Sequence, residues 1–293
     1  MSTQTKTIKS VVQDIYGLFK TNHTVSEENL EVFGNKCKEL VRHSLATASS
    51  SRTPVVRMSN IGTPDRKLWY IMNIKEEDGS ALKSSLEPKD LIKFLYGHLI
   101  EELLLLLVKE TGHSVTNEQE EVVVNGIVGH RDCKIDGIPI DIKSASKYSF
   151  QKFSKGTLAL NDSFGYIPQI SGYCQAGGDK TGGFLALNKE TGEICLLLID
   201  EVDMIDVSKR ADVVRDILSR PTPPEEKCYQ PEPFGQSGNM VLNANCGYCQ
   251  FKDLCWSDAN NGKGLRKFQY SNKVEEFTSV VSTPKVPEIE NIT

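Results

Sequence analysis

The sequence predicts an α/β or α+β protein built on a mixed β-sheet. Three observations carry this: helical periodicity over residues 91–111, strand-and-turn patterns at 121–144 and 182–199, and the order helix, hairpin, helix, hairpin, helix. The 293 residues suffice for one large domain, or one with a small appendage. With 39% hydrophobic and 25% charged residues, the chain has an ordinary globular composition.

The longest unbroken apolar run, 103–108, is too short for a bilayer, and Lys6 and Lys9 stand where a signal peptide would need an apolar core. A cytoplasmic protein without a membrane partner is therefore expected. A net charge of −5 argues against a generally basic nucleic-acid coat. It leaves room for an acidic metal site beside a local basic groove.

Taken in order, residues 1–50 read as helical. Apolar residues recur at helical spacing over 8–19, and Thr24 with Glu27 suits a capping box ahead of a helix at 30–45. The polar run 48–53 is a loop, and 59–70 is a loop leading into a helix. Residues 72–86 form a further polar loop. Pro88 suits a first helical turn, and the helix over 91–111 ends near Gly112. Within it Glu102 is placed on the solvated side. Glu101 lies three positions after His98, on a face bordered by Phe94 and Leu105.

A strand over 121–128 then leads to Asp132, and a second runs over 137–144 after the tight-turn pair Asp136-Gly137. In that second strand Ile138, Ile140 and Ile142 share one face, while Asp141 and Lys143 share the other. From Ile142 to Asn161 there are four lysines (Lys143, Lys147, Lys152, Lys155) and no acid. This run follows the acidic hairpin directly, where a phosphate backbone would have to enter, so a DNA-contacting role is expected.

Residues 162–168 form a turn-rich approach to a helix containing Gln169 and Tyr173. A hairpin follows at 182–187 and 193–199, then a helix at 203–218 stopped by Pro221, Pro223 and Pro224. The expected organisation is an N-terminal helical region with its lead-in loop (1–86), a core (87–220), a cysteine segment (221–262) and an extended tail (263–293).

The chemistry resides in the hairpin. Phosphodiester hydrolysis needs an activated water and positive charge on the developing oxyanion, and a divalent metal held by carboxylates supplies both. Mg²⁺ takes oxygen ligands and keeps waters, so Asp132, Asp141, Glu101 and the carbonyl of Ile142 meet its needs, with Lys143 alongside. Acid-x-Lys also occurs at Asp65, Glu87, Asp132 and Glu225. Only Asp141 combines its own strand with an acid at the preceding strand's end and a helix glutamate upstream.

The ordered set Gly129-His130-x-Asp132, Asp141-x-Lys143 and Gln169-x-x-x-Tyr173 resembles the RecB-like branch of the PD-(D/E)xK nuclease superfamily. The stretch 59–70 and the C-terminal cysteines are similar to CRISPR-associated and AddB-type exonucleases. The resemblance runs from about Ser59 to Trp256. It implies a restriction-endonuclease-like core with a mixed central sheet flanked by helices. Glu101, Asp132 and Asp141 would hold two Mg²⁺ or Mn²⁺ ions, and Lys143 would position the attacking water. Gln169 and Tyr173 would contact DNA and support the site from the adjoining helix. His98 matches a histidine that ligates metal in some relatives, and His130 reads as structural.

Three cysteines cluster in Cys246-x-x-Cys249-x₅-Cys255, followed by Trp256, and two cysteines at that spacing can chelate one metal while the third returns to it. Cys37, Cys133, Cys174 and Cys195 are scattered and read as small core or surface residues. In the resembling exonucleases three such cysteines join one far upstream to hold a 4Fe-4S cluster. Here that position carries Asp65, and Cys228 is the natural replacement. Local spacing suits zinc and the resemblance suits iron–sulfur; either would be a clasp on the C-terminal segment.

The expectation is a metal-dependent DNA exonuclease acting on linear ends or single strands in recombination, repair or replication. The alternatives are a sequence- or structure-specific endonuclease and a non-catalytic DNA-binding module. No phosphate-binding Gly-Lys-Ser/Thr loop is present, so unwinding would fall to a separate helicase or recombination protein. The compact layout suits a phage enzyme working in its host's cytoplasm.

Overall fold

A computed structural model describes residues 6–47, 54–74 and 87–289. The loop expected at 48–53 and most of the one at 72–86 fall outside them. The longer helices are α1 (Val11–Leu18), α2 (Glu27–Ala46), α3 (Asp65–Asn73), α4 (Pro88–Glu110), α5 (Lys147–Ser154), α6 (Tyr166–Gly177) and α7 (Val207–Ser219). Strands β1 (Val115–Thr116), β2 (Glu120–Val124), β3 (Ile127–Arg131), β4 (Cys133–Ile135), β5 (Ile138–Ala145), β6 (Thr181–Asn188) and β7 (Ile194–Asp200) precede α7. After it come β8 (Glu232–Pro233), β9 (Met240–Val241), β10 (Arg266–Gln269), β11 (Val274–Ser279) and β12 (Glu288–Ile289). No described helix is long and apolar enough to cross a membrane.

The chain divides into two units, one taking the described residues within 6–63 and 87–215, the other those within 64–74 and 216–289. The first is mixed α/β. Its sheet runs β1-β4-β5-β6-β7, with β5 parallel to β6 and the other pairs antiparallel. Ile140 and Ile142 of β5 turn to one face, where they bury with Val11 and Ile15 of α1 and Ile100, Leu104 and Val108 of α4. On the opposite face Phe184 of β6 meets Phe153 of α5 and Tyr166 of α6 at centroid distances of 5.5 and 6.0 Å. Helices thus flank the mixed sheet on both sides.

Pro88 and Gly112 bound α4 as expected, the glycine following at φ +78°. Three other expectations change. The strand predicted at 121–128 is a hairpin of β2 and β3, because Asn125 and Gly126 both take left-handed φ and close a two-residue turn. The cap of α2 is Ser26, whose Oγ accepts from Asn29 N at 3.4 Å, with neither Thr24 nor Glu27 involved. Glu110 fixes that start by accepting from Ser26 N and Asn29 Nδ2 at 3.1 and 2.7 Å. Glu102 is not on a solvated side: its side chain is 11% exposed and pairs with Lys36 of α2 at 3.2 Å.

Two devices fix the hairpin that carries the acids. The Asp136-Gly137 turn is tied to α1 through buried His113, whose Nδ1 faces Asp136 Oδ2 at 2.6 Å and Nε2 faces Asp14 Oδ2 at 3.0 Å. On the other side Met58, fully buried, lies between Gly129 of β3 and Gly172 of α6. A Cβ on Gly129 would come within 2.4 Å of Met58 Cβ and 2.9 Å of the Tyr173 ring, so this approach requires glycine.

In the second unit α3 buries Trp69 and Tyr70 against Ile217 and Phe251. Residues 64–74 therefore pack with the C-terminal segments, a division that differs from the expected boundaries at 86, 220 and 262. Within the tail expected over 263–293, the described residues 263–289 carry structure: β10, β11 and β12 join β8 and β9 in a five-stranded antiparallel sheet. The physical reason is burial. Phe268 and Phe277 are fully buried and meet edge to face at 5.3 Å, and Arg266 makes two 2.7 Å bonds to Glu288.

Gly129→Ala is expected to destabilise the protein by about 1–3 kcal/mol, the cost of overpacking. The check is urea unfolding, read as a lower midpoint with an unchanged slope.

Candidate active site

Asp132 sits between β3 and β4, one residue before the β4–β5 ladder begins with Cys133 opposite Ile140. Continuing that register sets it across from Asp141. Its Oδ2 accepts from Ile142 N at 2.8 Å, so the side chain replaces a ladder bond that the backbone no longer makes. Period-2 alternation puts Asp141 and Lys143 together on the α5/α6 face, where they form an ion pair. Asp141 is 1% exposed, and apart from the Lys143 ammonium its carboxylate oxygens have no hydrogen-bond donor.

The charges act on one another. Burial, then Asp141 and Glu101, push the Asp132 carboxyl well above the usual range. Burial also raises Asp141, against the lowering pull of Lys143. Burial works to lower Lys143, but Asp141 and Asp132 outweigh it and hold the ammonium protonated. Glu101 arrives from α4, its Oε1 accepting from Gln119 Nε2 at 2.9 Å. His98, on the same helix and 56% exposed, holds Nδ1 3.7 Å from Glu101 Oε2. That contact raises its pKa.

Gln169 and Tyr173 reach this site from inside. Both are buried; Gln169 Nε2 donates to Tyr173 Oη at 3.1 Å, and that hydroxyl donates to the His130 carbonyl at 2.7 Å. Through these two bonds they hold the backbone just before Asp132. His130 contributes that carbonyl while its ring stays half exposed near Glu121.

Tyr166 was not predicted. The Lys143 ammonium lies 5.0 Å from its ring centroid, a cation–π contact beside the acids. Its signal was helical: Tyr166, Gln169 and Tyr173 follow i, i+3, i+7 along α6 and share one face. The Asp162 carboxylate starts that helix by accepting from Tyr166 N and Ile167 N at 2.9 and 2.7 Å.

The lysine run is mostly helix, with Phe150 and Phe153 of α5 buried. Lys147 and Lys155 are exposed. Lys152 Nζ donates to the Asn161 carbonyl at 2.9 Å and lies 5.5 Å from the Tyr148 ring centroid. A pocket of about 230 Å³ opens among Tyr148, Lys152, Lys155, Leu160 and Asn161.

In the second unit Cys246 is buried, and Cys228, Cys249 and Cys255 are partly buried. Burial, then the other three thiols, push Cys246 up to about 11, and burial also raises Cys228. Arg66 Nε donates to Cys255 Sγ at 3.2 Å. Cys133 and Cys174 are buried packing thiols, as expected.

Among the described residues, no three His, Cys, Asp or Glu side chains already surround a common point as metal ligands. The donor chemistry nevertheless fits. The buried Asp141 carboxylate has no donor besides Lys143, beside an acid whose ionised form is disfavoured, and a divalent cation would correct both conditions. Four neighbouring thiols likewise suit zinc or an iron–sulfur cluster.

Comparison with solved structures finds several likenesses, among them the following three. The structure of SSO0001 is 17% identical, covering 74% of this chain and 95% of that one at a TM-score of 0.43. An alkaline exonuclease from Laribacter hongkongensis, LHK-Exo, is 14% identical, covering 55% and 91% at 0.33. Its complex with dAMP is also 14% identical, covering 55% and 92% at 0.32. No family model matches the chain, and no curated protein matches it by sequence. None of the TM-scores reaches 0.5, so what the site can do is read from its own residues.

An acid with a higher pKa in the folded than in the unfolded state contributes stability at low pH, and that contribution is lost as pH rises through the folded value. Asp132→Asn keeps an acceptor for Ile142 N and removes the charge. At pH 8 without metal it should raise Tm by roughly 2–4 °C, the shift about 1 kcal/mol gives at this size. By calorimetry the gain should fade as pH falls toward the ordinary carboxyl value of 3.8.

Proposed function

We propose that this chain is a metal-dependent deoxyribonuclease that hydrolyses phosphodiester bonds, acting as an exonuclease on DNA ends. One observation carries the reading: the buried Asp141 carboxylate has only the Lys143 ammonium as a partner, with Asp132 and Glu101 close enough to raise pKa values within the cluster. A stable protein gains little from gathering several acids around one buried lysine, whereas a cation site requires such a group.

Asp132, Asp141, Glu101 and the Ile142 carbonyl are the groups that would hold Mg²⁺ or Mn²⁺, with His98 a further candidate. Such ions, when bound, supply an activated water and positive charge on the scissile phosphate. The chain's own residues do the rest. Lys143 remains protonated and donates hydrogen bonds to the attacking water and the phosphate oxygen. Tyr166 keeps the ammonium at its place, and the Gln169–Tyr173–His130 relay fixes the backbone that presents Asp132. Lys147 and Lys155 would neutralise the incoming phosphate backbone.

The test offers linear, closed circular and single-stranded DNA with Mg²⁺, Mn²⁺ or EDTA. Metal-dependent loss of linear DNA is expected, with Lys143→Ala cleaving roughly 10²–10³-fold more slowly, the usual cost of removing an oxyanion donor. Degradation of closed circles would instead indicate an endonuclease. Absence of cleavage on every substrate would leave a DNA-binding module.

We further propose that Cys228, Cys246, Cys249 and Cys255 hold a structural zinc or 4Fe-4S cluster. Metal analysis should find one such centre, and visible absorbance separates the cluster from zinc. Cys249→Ser is expected to lower both metal content and Tm while metal-dependent cleavage persists below the melting transition. Unchanged Tm without bound metal would exclude the clasp.

A further inference from the structure

Phe164 is the exposed end of an aromatic series that leads to the candidate catalytic lysine. Its ring is stacked on Tyr166, with centroids 5.5 Å apart and planes 19° from parallel. The far side of that series is the Lys143 ammonium, 5.0 Å from the Tyr166 centroid. Phe164 itself is 62% exposed. One face of the ring is therefore occupied, and the remainder is offered to solvent two contacts away from the ion pair.

Core packing does not require this arrangement. Tyr166 already makes its core contact with Phe153, at 5.8 Å, without Phe164. The same connection between β5 and α6 carries a second feature, the pocket lined by Tyr148, Lys152, Lys155 and Leu160. Tyr148 is 70% exposed and Leu160 85% exposed. Exposed aromatic faces alternating with ammonium groups are the surface that single-stranded nucleic acid uses, with bases stacking on the rings and phosphates meeting the lysines. Paired bases inside a duplex already have both faces covered. A free ring face at the cleavage point therefore suits a base with no partner.

We propose that Phe164 stacks the unpaired base next to the scissile phosphate, which makes the preferred substrate a single-stranded or frayed DNA terminus. This rests on the nuclease reading for its location but not for its measurement. Phe164 is a positioning residue: it sets where the strand lies, and Lys143 and the acids act on it. Its exposure means that Phe164→Ala should fold with unchanged Tm.

The experiment uses the full chain in Ca²⁺ with 2-aminopurine as the terminal base of a single strand, a frayed duplex or a blunt duplex. Stacking quenches the probe's fluorescence. The expected result is quenching on the single strand and frayed end, weakened with binding by roughly 5- to 100-fold in Phe164→Ala, the range for losing one stacked base. Phe164→Trp should restore it, and in cleavage assays Phe164→Ala should raise KM with kcat largely kept. Quenching unaffected by Phe164→Ala would overturn the proposal, as would equal Phe164 dependence on the blunt duplex. A wild-type protein that quenches through Phe164 but never cleaves would sink the nuclease reading alone. Cleavage with no Phe164 effect would sink only the stacking.

Discussion

Burying Asp141 beside Lys143 is the condition around which the first unit is arranged. Taking two charges out of water costs several kcal/mol per ion, and an attraction between them repays this only when further groups satisfy what remains. Here Lys143 gains the Tyr166 ring as well as its carboxylate partner, whereas Asp141 has no hydrogen-bond donor besides that ammonium. Position makes the burial unavoidable. β5 is bonded on both sides, to β4 and to β6, and its acidic face lies under α5 and α6. An acid on an edge strand would have drawn water instead.

The electrostatics are local and differ from the whole chain's. A net charge of −5 describes the surface in bulk. Around β5, three acids oppose one another while lysines dominate the connection that follows. Fields of both signs within a few residues of each other are what an anionic substrate and a bound cation require together.

Much of this was legible because it depends on short-range rules. Asp136-Gly137 marks a turn, period 2 separates Ile140 and Ile142 from Asp141 and Lys143, and Pro88 and Gly112 bracket α4. What sequence missed depends on partners far along the chain. Glu102 reads as solvated until α2 supplies Lys36. That Gln169 and Tyr173 support the site through the His130 carbonyl is seen only once β3 presents it. The C-terminal sheet was invisible because its strands are two to six residues long, with Phe268 and Phe277 as the buried aromatics of β10 and β11. The Asn125-Gly126 turn is hidden in the sequence because the valines on either side look like one continuous strand.

His113 gives the reactive hairpin a tether that its own sequence does not contain. The ring reaches back 99 positions to Asp14 while its other nitrogen holds the Asp136 turn. The working boundary of the acid site therefore lies near the start of the chain, long before the first acid. A trimmed version beginning at α4 would keep Glu101, Asp132, Asp141 and Lys143 but would strand a buried imidazole and release one end of the hairpin. Whatever assembles or divides this protein must treat α1 as part of the site's foundation.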